Sequence, residues 1–357
     1  MDIRFEKTTN PAAKPDSTKL GFGRYFTDHM FIMDYSPDKG WHDARIVPFA
    51  NLSLHPAATV FHYGAEVFEG MKAYRRADGM VQLFRPMENV KRLNSSAERL
   101  CLPQIDEQDA LEAIMKFVEI EQDWVPSNPG TSLYLRPFLF GSDEQLGLHT
   151  IQNAMFIIIA SPVGSYYAAG INPVKIMIET EDVRAVKGGT GYTKCGGNYA
   201  ASNRAAARAE EKGYSQVLWL DGVERKYIEE VGAMNVMFRI GDEIVTPELS
   251  GSILPGITRK SCLDVLRNEG YKVSERKISV DELLEAMKSG TLKEAWGCGT
   301  AAVVSPIGEL AYGDMKYTVN NFEIGEVTKH LYDTLTGIQW GKTPDTYDWT
   351  VEIPANK

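Results

Sequence analysis

Two neighbouring runs constrain the fold more than anything else in this chain. Residues 132–140 alternate, putting Tyr134, Arg136, Phe138 and Phe140 on one face of a strand and Leu133, Leu135 and Leu139 on the other. Residues 153–161 follow as a continuous apolar run, the pattern of a strand buried on both faces. A hairpin precedes them, with residues 67–76 and 80–85 flanking Ala-Asp-Gly. Pro86 then opens a helix whose apolar positions Met87, Val90, Leu93, Ala97 and Leu100 recur at helical spacing. A second helix covers about 107–121, with Leu111, Ile114, Met115 and Val118 inward. Residues 1–18 are polar and are expected to lie loosely on the surface, and 24–49 reads as short strands between Asp and Gly turns.

At 357 residues the chain exceeds one ordinary core, so two domains are expected. The stretch 162–170 looks like a linker, and a strand at 173–180 opens the second half. The expected division is a small domain at 1–163, a linker at 164–172 and a larger domain at 173–357. In the larger part a helix runs from beyond Lys194 to about Lys212, and Asp221-Gly222 makes a hairpin between 216–220 and 226–229. Strands follow near 234–240 and 243–246. Helices begin after Pro255-Gly256 and at Val280, and a strand near 294–297 leads into Gly297-Cys-Gly-Thr-Ala-Ala. Runs of strands with segregated helices point to α+β rather than a doubly wound sheet.

Composition narrows the function classes. A net charge of −10 disfavours nucleic acid, and the longest apolar run, 154–160, is too short to span a membrane. The N-terminus carries Asp2 and Glu6 without an apolar leader core, so a cytoplasmic protein is expected. Cys101, Cys195, Cys262 and Cys298 are scattered without a CxxC, and the histidines show no ligand spacing, so no metal is expected.

The chemistry centres on the run 188–199, Gly-Gly-Thr-Gly-Tyr-Thr-Lys-Cys-Gly-Gly-Asn-Tyr. Glycines on both sides of Lys194 let the backbone turn sharply and approach a ligand closely. A phosphate loop fails, because Thr193 and Cys195 replace the glycine and hydroxyl residue that flank its lysine, and GxGxxG is absent. Two other segments suit a phosphate. Leu254-Pro-Gly-Ile-Thr258 precedes a helix, where the amides of Ile257 and Thr258 lie at the positive end of the helix dipole. Gly297-Cys-Gly-Thr-Ala301 follows a strand and offers the Thr300 hydroxyl. With the lysine they suggest a phosphate-bearing aldehyde cofactor, which needs an acid near its ring nitrogen. Glu229 and Glu230 end a strand as neighbours, so one is expected to be solvated and the other buried.

The series Glu230-Val-Gly-Ala-Met-Asn235, Ile244-Val-Thr246 and Leu254-Pro-Gly-Ile-Thr-Arg259 resembles the signature of class IV aminotransferases. One position departs, Met237 standing where Phe or Tyr is usual. Phe26-Thr-Asp-His-Met30, Phe68-Glu-Gly-Met-Lys-Ala73, Tyr134-Leu-Arg-Pro137 and Lys194-Cys-Gly-Gly-Asn-Tyr199 extend the likeness to the larger branched-chain amino acid aminotransferases. That resemblance implies a two-domain enzyme of fold type IV, like D-amino acid aminotransferase, with a smaller N-terminal α/β domain and a larger mixed one. It implies pyridoxal 5′-phosphate in Schiff-base linkage to Lys194, Tyr199 on its phenolic oxygen and Glu230 on its ring nitrogen. Arg92, Ile257, Thr258 and Thr300 would hold the phosphate. Tyr63, Phe68, Tyr134, Tyr166, Thr300 and Ala301 would line the substrate pocket, and Arg136 would accept the side-chain carboxylate of glutamate. Leu146 and Leu148 occupy the stretch that closes a partner's pocket, so a homodimer acting on amino acids and 2-oxo acids is implied. Ala302-Val-Val-Ser305 lacks the redox CxxC of some members. A D-amino acid transaminase, an aminodeoxychorismate lyase or a non-catalytic phosphate-binding module are the alternatives, and the Tyr134-Leu-Arg136 strand favours the branched-chain reading over the first two.

Overall fold

The structure, a computed structural model, describes residues 1–164 and 171–355. It forms two units. The first takes the N-terminal part of the chain, then Thr193–Gly196, and finally the chain from Gly337 onward. Its strands are β1 (Arg4–Phe5), β2 (His29–Ser36), β3 (Gly40–Pro48), β4 (Glu66–Phe68), β5 (Met71–Arg75), β6 (Val81–Phe84), β7 (Ser132–Gly141), β8 (Ala154–Val163) and β18 (Thr350–Ile353). They pair in the order β1-β3-β2-β8-β7-β5-β6-β18, with β4 added on β7.

The alternation in residues 132–140 explains how this sheet is covered. Leu133, Leu135 and Leu139 are fully buried against helices α2 (Pro86–Arg99) and α3 (Glu107–Ile120), which contribute Val90, Leu93, Ala97, Ile114 and Phe117. Pro86 starts α2, and Asp106 caps α3 by accepting from the amides of Gln108 and Asp109. The opposite face of β7 is less covered, leaving Tyr134, Arg136 and Phe138 half-buried. That half-covered face is what the sheet offers to chemistry.

Three expectations need amendment here. Within residues 24–49 the strands number two and form one long hairpin, β2 against β3. The N-terminal arm is less loose than its polarity suggests: β1 pairs in parallel with β3, and the Thr8 and Ala12 amides donate to His29 and Asp28. Pro162 and Val163, placed in the linker, belong to β8.

The second unit has β9 (Val174–Ile178), β10 (Gln216–Leu220), β11 (Ile228–Val231), β12 (Met234–Ile240), β13 (Glu243–Thr246), β14 (Lys272–Glu275), β15 (Leu292–Gly299), β16 (Val303–Tyr312) and β17 (Met315–Thr318). Their order is β11-β10-β9-β16-β15-β12-β13-β14, with β17 on β16, and β11 also pairs with β12. That last pairing closes β9, β10, β11, β12, β15 and β16 into a ring, so these strands have no open edge. Helices α6 (Ile257–Asn268) and α7 (Val280–Lys288) carry Cys262, Val265, Leu266, Leu283 and Leu284 into the interior.

The α+β reading holds. The helix expected to run from beyond Lys194 to Lys212 is two helices, α4 (Gly196–Ala200) and α5 (Asn203–Glu211). The hairpin expected at Asp221-Gly222 is present, with β10 antiparallel to β11. Strand pairing stops at Leu220 and resumes at Ile228, and the Asp221 carboxylate organises the loop by accepting from the amides of Val223, Glu224, Lys226 and Tyr227.

Candidate active site

Lys194 lies in the first unit, where its backbone is held from two sides. Its carbonyl accepts from the Phe68 amide at 2.9 Å, and its amide donates to Ser96 Oγ of α2 at 3.0 Å. Cys195 next to it bridges to Val67 of β4. The side chain is half-buried and its Nζ stands 4.9 Å from the centre of the Phe68 ring. Desolvation, reinforced by the charge of Arg92, lowers its pKa to about 8; Glu69 opposes this. An amine in that state is mainly neutral only above about 8, yet even at neutral pH it offers far more free amine to act as nucleophile or base than a surface lysine does.

The flanking glycines have physical reasons of their own. A Cβ on Gly196 would fall 2.1 Å from Glu66 Oε1, and one on Gly191 would fall 2.3 Å from the Ser252 carbonyl oxygen. Both close approaches are to protein atoms, whereas the glycine pattern alone suggested a ligand.

Arg92 and Glu69 form a buried two-pronged pair, Nε to Oε1 at 2.8 Å and an η nitrogen to Oε2 at 2.9 Å. Asn89 also donates to Glu69 Oε2 at 2.7 Å. Burial pushes the Glu69 carboxyl up, but Arg92 overcomes this and holds it below its ordinary value. Glu69 was not singled out from sequence. An acidic residue between Phe68 and Gly-Met in a strand pattern was the available signal, because a buried carboxylate requires a cation.

On β7, Arg136 places its guanidinium carbon 4.7 Å from the Phe68 ring centre and 5.4 Å from that of Tyr134. One η nitrogen donates to Tyr134 Oη at 3.1 Å, while its buried Nε has no hydrogen-bond partner. Gly70 allows Tyr134 its position, since a Cβ there would lie 2.1 Å from Oη. The structure thus gathers Lys194, Phe68, Tyr134 and Arg136. Tyr63 is 44% exposed and accepts the Gly147 amide at 2.9 Å, between Leu146 and Leu148, which are 67% and 86% exposed. Tyr166 lies outside the described residues.

The second unit carries the other expected residues. Glu229 and Glu230 are both buried, contrary to the one-in, one-out expectation, and the segment before α6 meets both, Ser252 at Glu229 and Leu254 at Glu230. Glu230 Oε1 accepts from the Leu254 amide at 2.8 Å, and its Oε2 lies 3.3 Å from Arg184 Nε. Asn235, paired with Glu230 across β11 and β12, donates to the Leu254 carbonyl at 2.9 Å. The same two strands therefore fix the acid and the loop that enters α6. Gly256 precedes α6 with no side-chain cap, leaving the buried Ile257 and Thr258 at an uncapped helix start. Thr300 and Ala301 sit half-buried in the turn between β15 and β16, which ends on Val303 at φ 61°, a strained setting for a β-branched residue. Tyr199 is half-buried in α4. Arg184 and Asn235 were also missed from sequence, since a lone arginine in a polar stretch carries no pattern.

The chain belongs to the class IV aminotransferases, whose family match covers residues 66–310. More particularly it belongs with the branched-chain-amino-acid aminotransferases. It is 57% identical over 353 residues to branched-chain-amino-acid aminotransferase 2 of Bacillus subtilis, covering 99% of this chain and 97% of that protein. A probable branched-chain-amino-acid aminotransferase of Staphylococcus aureus is 52% identical, covering 99% and 98%. Two solved structures share the fold. The crystal structure of the Escherichia coli branched-chain amino acid aminotransferase matches with a TM-score of 0.77 over 92% of this chain and 99% of that one, at 24% identity. The branched-chain aminotransferase of Thermoproteus uzoniensis, solved with norvaline, matches with a TM-score of 0.76 at 24% identity, covering 91% and 100%. Pyridoxal 5′-phosphate is the cofactor of this family, and the donor set described above fits it.

Proposed function

We propose that the protein moves the amino group between leucine, isoleucine or valine and 2-oxoglutarate, with Lys194 as the catalytic amine. The observation that carries this reading is the Lys194 amine, depressed to about 8 and pinned by Phe68 and Ser96. Pyridoxal phosphate supplies the electron sink when bound. Lys194 takes and returns the proton at the substrate carbon. Glu230 would hold a proton at the ring nitrogen, and Tyr199 would donate to the phenolic oxygen. The amides of Ile257 and Thr258, the Thr300 hydroxyl and Arg92 would hold its phosphate.

Phe68, Tyr134 and Tyr63 give branched side chains an apolar wall, worth about 1.5–3 kcal/mol for a fully buried side chain. Glutamate uses the same space, its side-chain carboxylate on Arg136, whose buried Nε offers an unused donor. We further propose a homodimer in which Leu146 and Leu148 close the pocket of the second copy, and a cytoplasmic setting. The four cysteines being free supports the latter.

A panel of amino donors against 2-oxoglutarate, run on the native protein and on Arg136→Ala, tests this reading. Leucine, isoleucine and valine are expected to be good donors. Arg136→Ala is expected to weaken glutamate and 2-oxoglutarate use by about 10–100-fold more than leucine use, the range for a lost charged hydrogen bond of about 1.5–3 kcal/mol. Equal losses for both substrate types would reject the role of Arg136, and a native protein inert toward all three donors would reject the function.

A further inference from the structure

A carboxylate that keeps a ring nitrogen protonated must itself stay ionised, and burial opposes that. Glu230 is buried, and Glu229 is buried beside it on the same strand. Two carboxylates here lean on the charge of Arg184. Its Nε lies 3.3 Å from Glu230 Oε2. One of its η nitrogens donates to the carbonyls of Gly191, at 3.3 Å, and Ser252. The arginine is itself buried, so these carbonyls fix the plane of its guanidinium. Glu229 is satisfied differently. The Ser252 hydroxyl donates to one oxygen, the other has no hydrogen-bond partner, and burial pushes its carboxyl up. The charge of Arg184 and the Ser252 hydroxyl oppose that rise, but the ion pair Arg184 makes is with Glu230.

The same arginine joins two loops. Gly191 and Ser252 touch where only glycine fits, a Cβ on Gly191 lying 2.3 Å from the Ser252 oxygen. One loop leads along the chain toward Lys194, and the other leads through Leu254 into α6. Leu254 is also the residue whose amide donates to Glu230.

We propose that Arg184 is a positioning residue of the transamination reaction: anchored on Gly191 and Ser252, it keeps Glu230 ionised, so that the proton shared with the cofactor's ring nitrogen stays on the nitrogen. This rests on the pyridoxal phosphate reading of Glu230. One proton lies between carboxylate and nitrogen. A cation beside the carboxylate disfavours the neutral acid, so the proton resides on the ring. Without the guanidinium it passes to Glu230, and the ring loses its positive charge and part of its pull on electrons.

The test compares the native holoenzyme with Arg184→Met and Arg184→Lys. It reads the pH midpoint of the bound cofactor's visible absorption, then kcat and KM for leucine. A positive ring nitrogen lowers the proton affinity of the conjugated system. Arg184→Met is therefore expected to raise the midpoint by about one pH unit, a tenfold change in proton affinity. It is also expected to lower kcat by about 10–100-fold, as loss of an outer partner does, with KM little changed. Arg184→Lys keeps the charge and is expected to restore the midpoint. Arg184→Met with the native midpoint and kcat would overturn the proposal. If Arg184→Met does not fold, Arg184→Lys decides: a midpoint close to native despite a lower melting temperature supports the charge role, and a strongly raised one overturns it. A native protein that stays colourless with pyridoxal phosphate rejects the cofactor reading itself, before any variant is compared.

Discussion

Lys194 and Lys72 are both lysines of the first unit whose amines burial lowers to about 8. Their settings differ in what surrounds the charge. Lys72 lies within β5 opposite Tyr134, and desolvation alone accounts for its shift. Lys194 sits on a loop pinned at both backbone atoms, with Arg92 lowering its proton affinity and Glu69 raising it. The depressed value has a sign that can be checked. Above about 8 the Lys194 amine is mainly neutral and can attack an aldehyde, whereas a free lysine reaches that state near 10.4. The rate at which apoprotein takes up pyridoxal phosphate is expected to climb with pH through about 8 and then level. A rate still climbing toward about 10 would mean the amine is not desolvated as described.

At the scale of elements, strand pairing and small residues set the distances that side chains need. Gly256 has φ −68° and ψ 132°, so its backbone would accept alanine, but a Cβ would stand 1.9 Å from Asn235 Oδ1. Gly256→Ala should therefore displace Asn235 and break its hydrogen bond to the Leu254 carbonyl. A loss of about 1–3 kcal/mol is expected from urea unfolding, the cost of a buried polar group left unpaired. An unchanged unfolding midpoint would show that the loop moves freely. This element also marks where the sequence was informative. The Pro-Gly before Ile257 announced the start of α6, and the alternation in β7 announced which face Arg136 shares with Tyr134. Local pattern carries such features because they depend on neighbours in the chain. The burial of both Glu229 and Glu230 did not show, since it depends on Ser252 and Leu254, more than twenty residues further along the chain. The hairpin at Asp221-Gly222 was legible from its turn residues, and the Asp221 carboxylate holds its loop by accepting four amides. The Arg92–Glu69 pair joins residues of α2 and the β4–β5 connection, which no single periodicity reports.

For the whole molecule, the exposed apolar residues of the first unit bear on assembly. Phe26 and Phe49 stack with ring centres 5.1 Å apart while 39% exposed each, and Phe61 and Leu148 are 61% and 86% exposed. Surface leucine and phenylalanine at this density suit a second copy of the chain. Sedimentation is expected to show dimers, and Leu148→Asp is expected to weaken both dimerisation and turnover. A native protein that sediments as an active monomer would remove the shared-pocket proposal. The amine that carries the cofactor can be identified chemically. Holoenzyme is reduced with borohydride, digested, and its peptides are mapped by mass spectrometry. The account predicts a phosphopyridoxyl group on the peptide that contains Lys194; the same group found instead on Lys72, or on any other lysine, would contradict it.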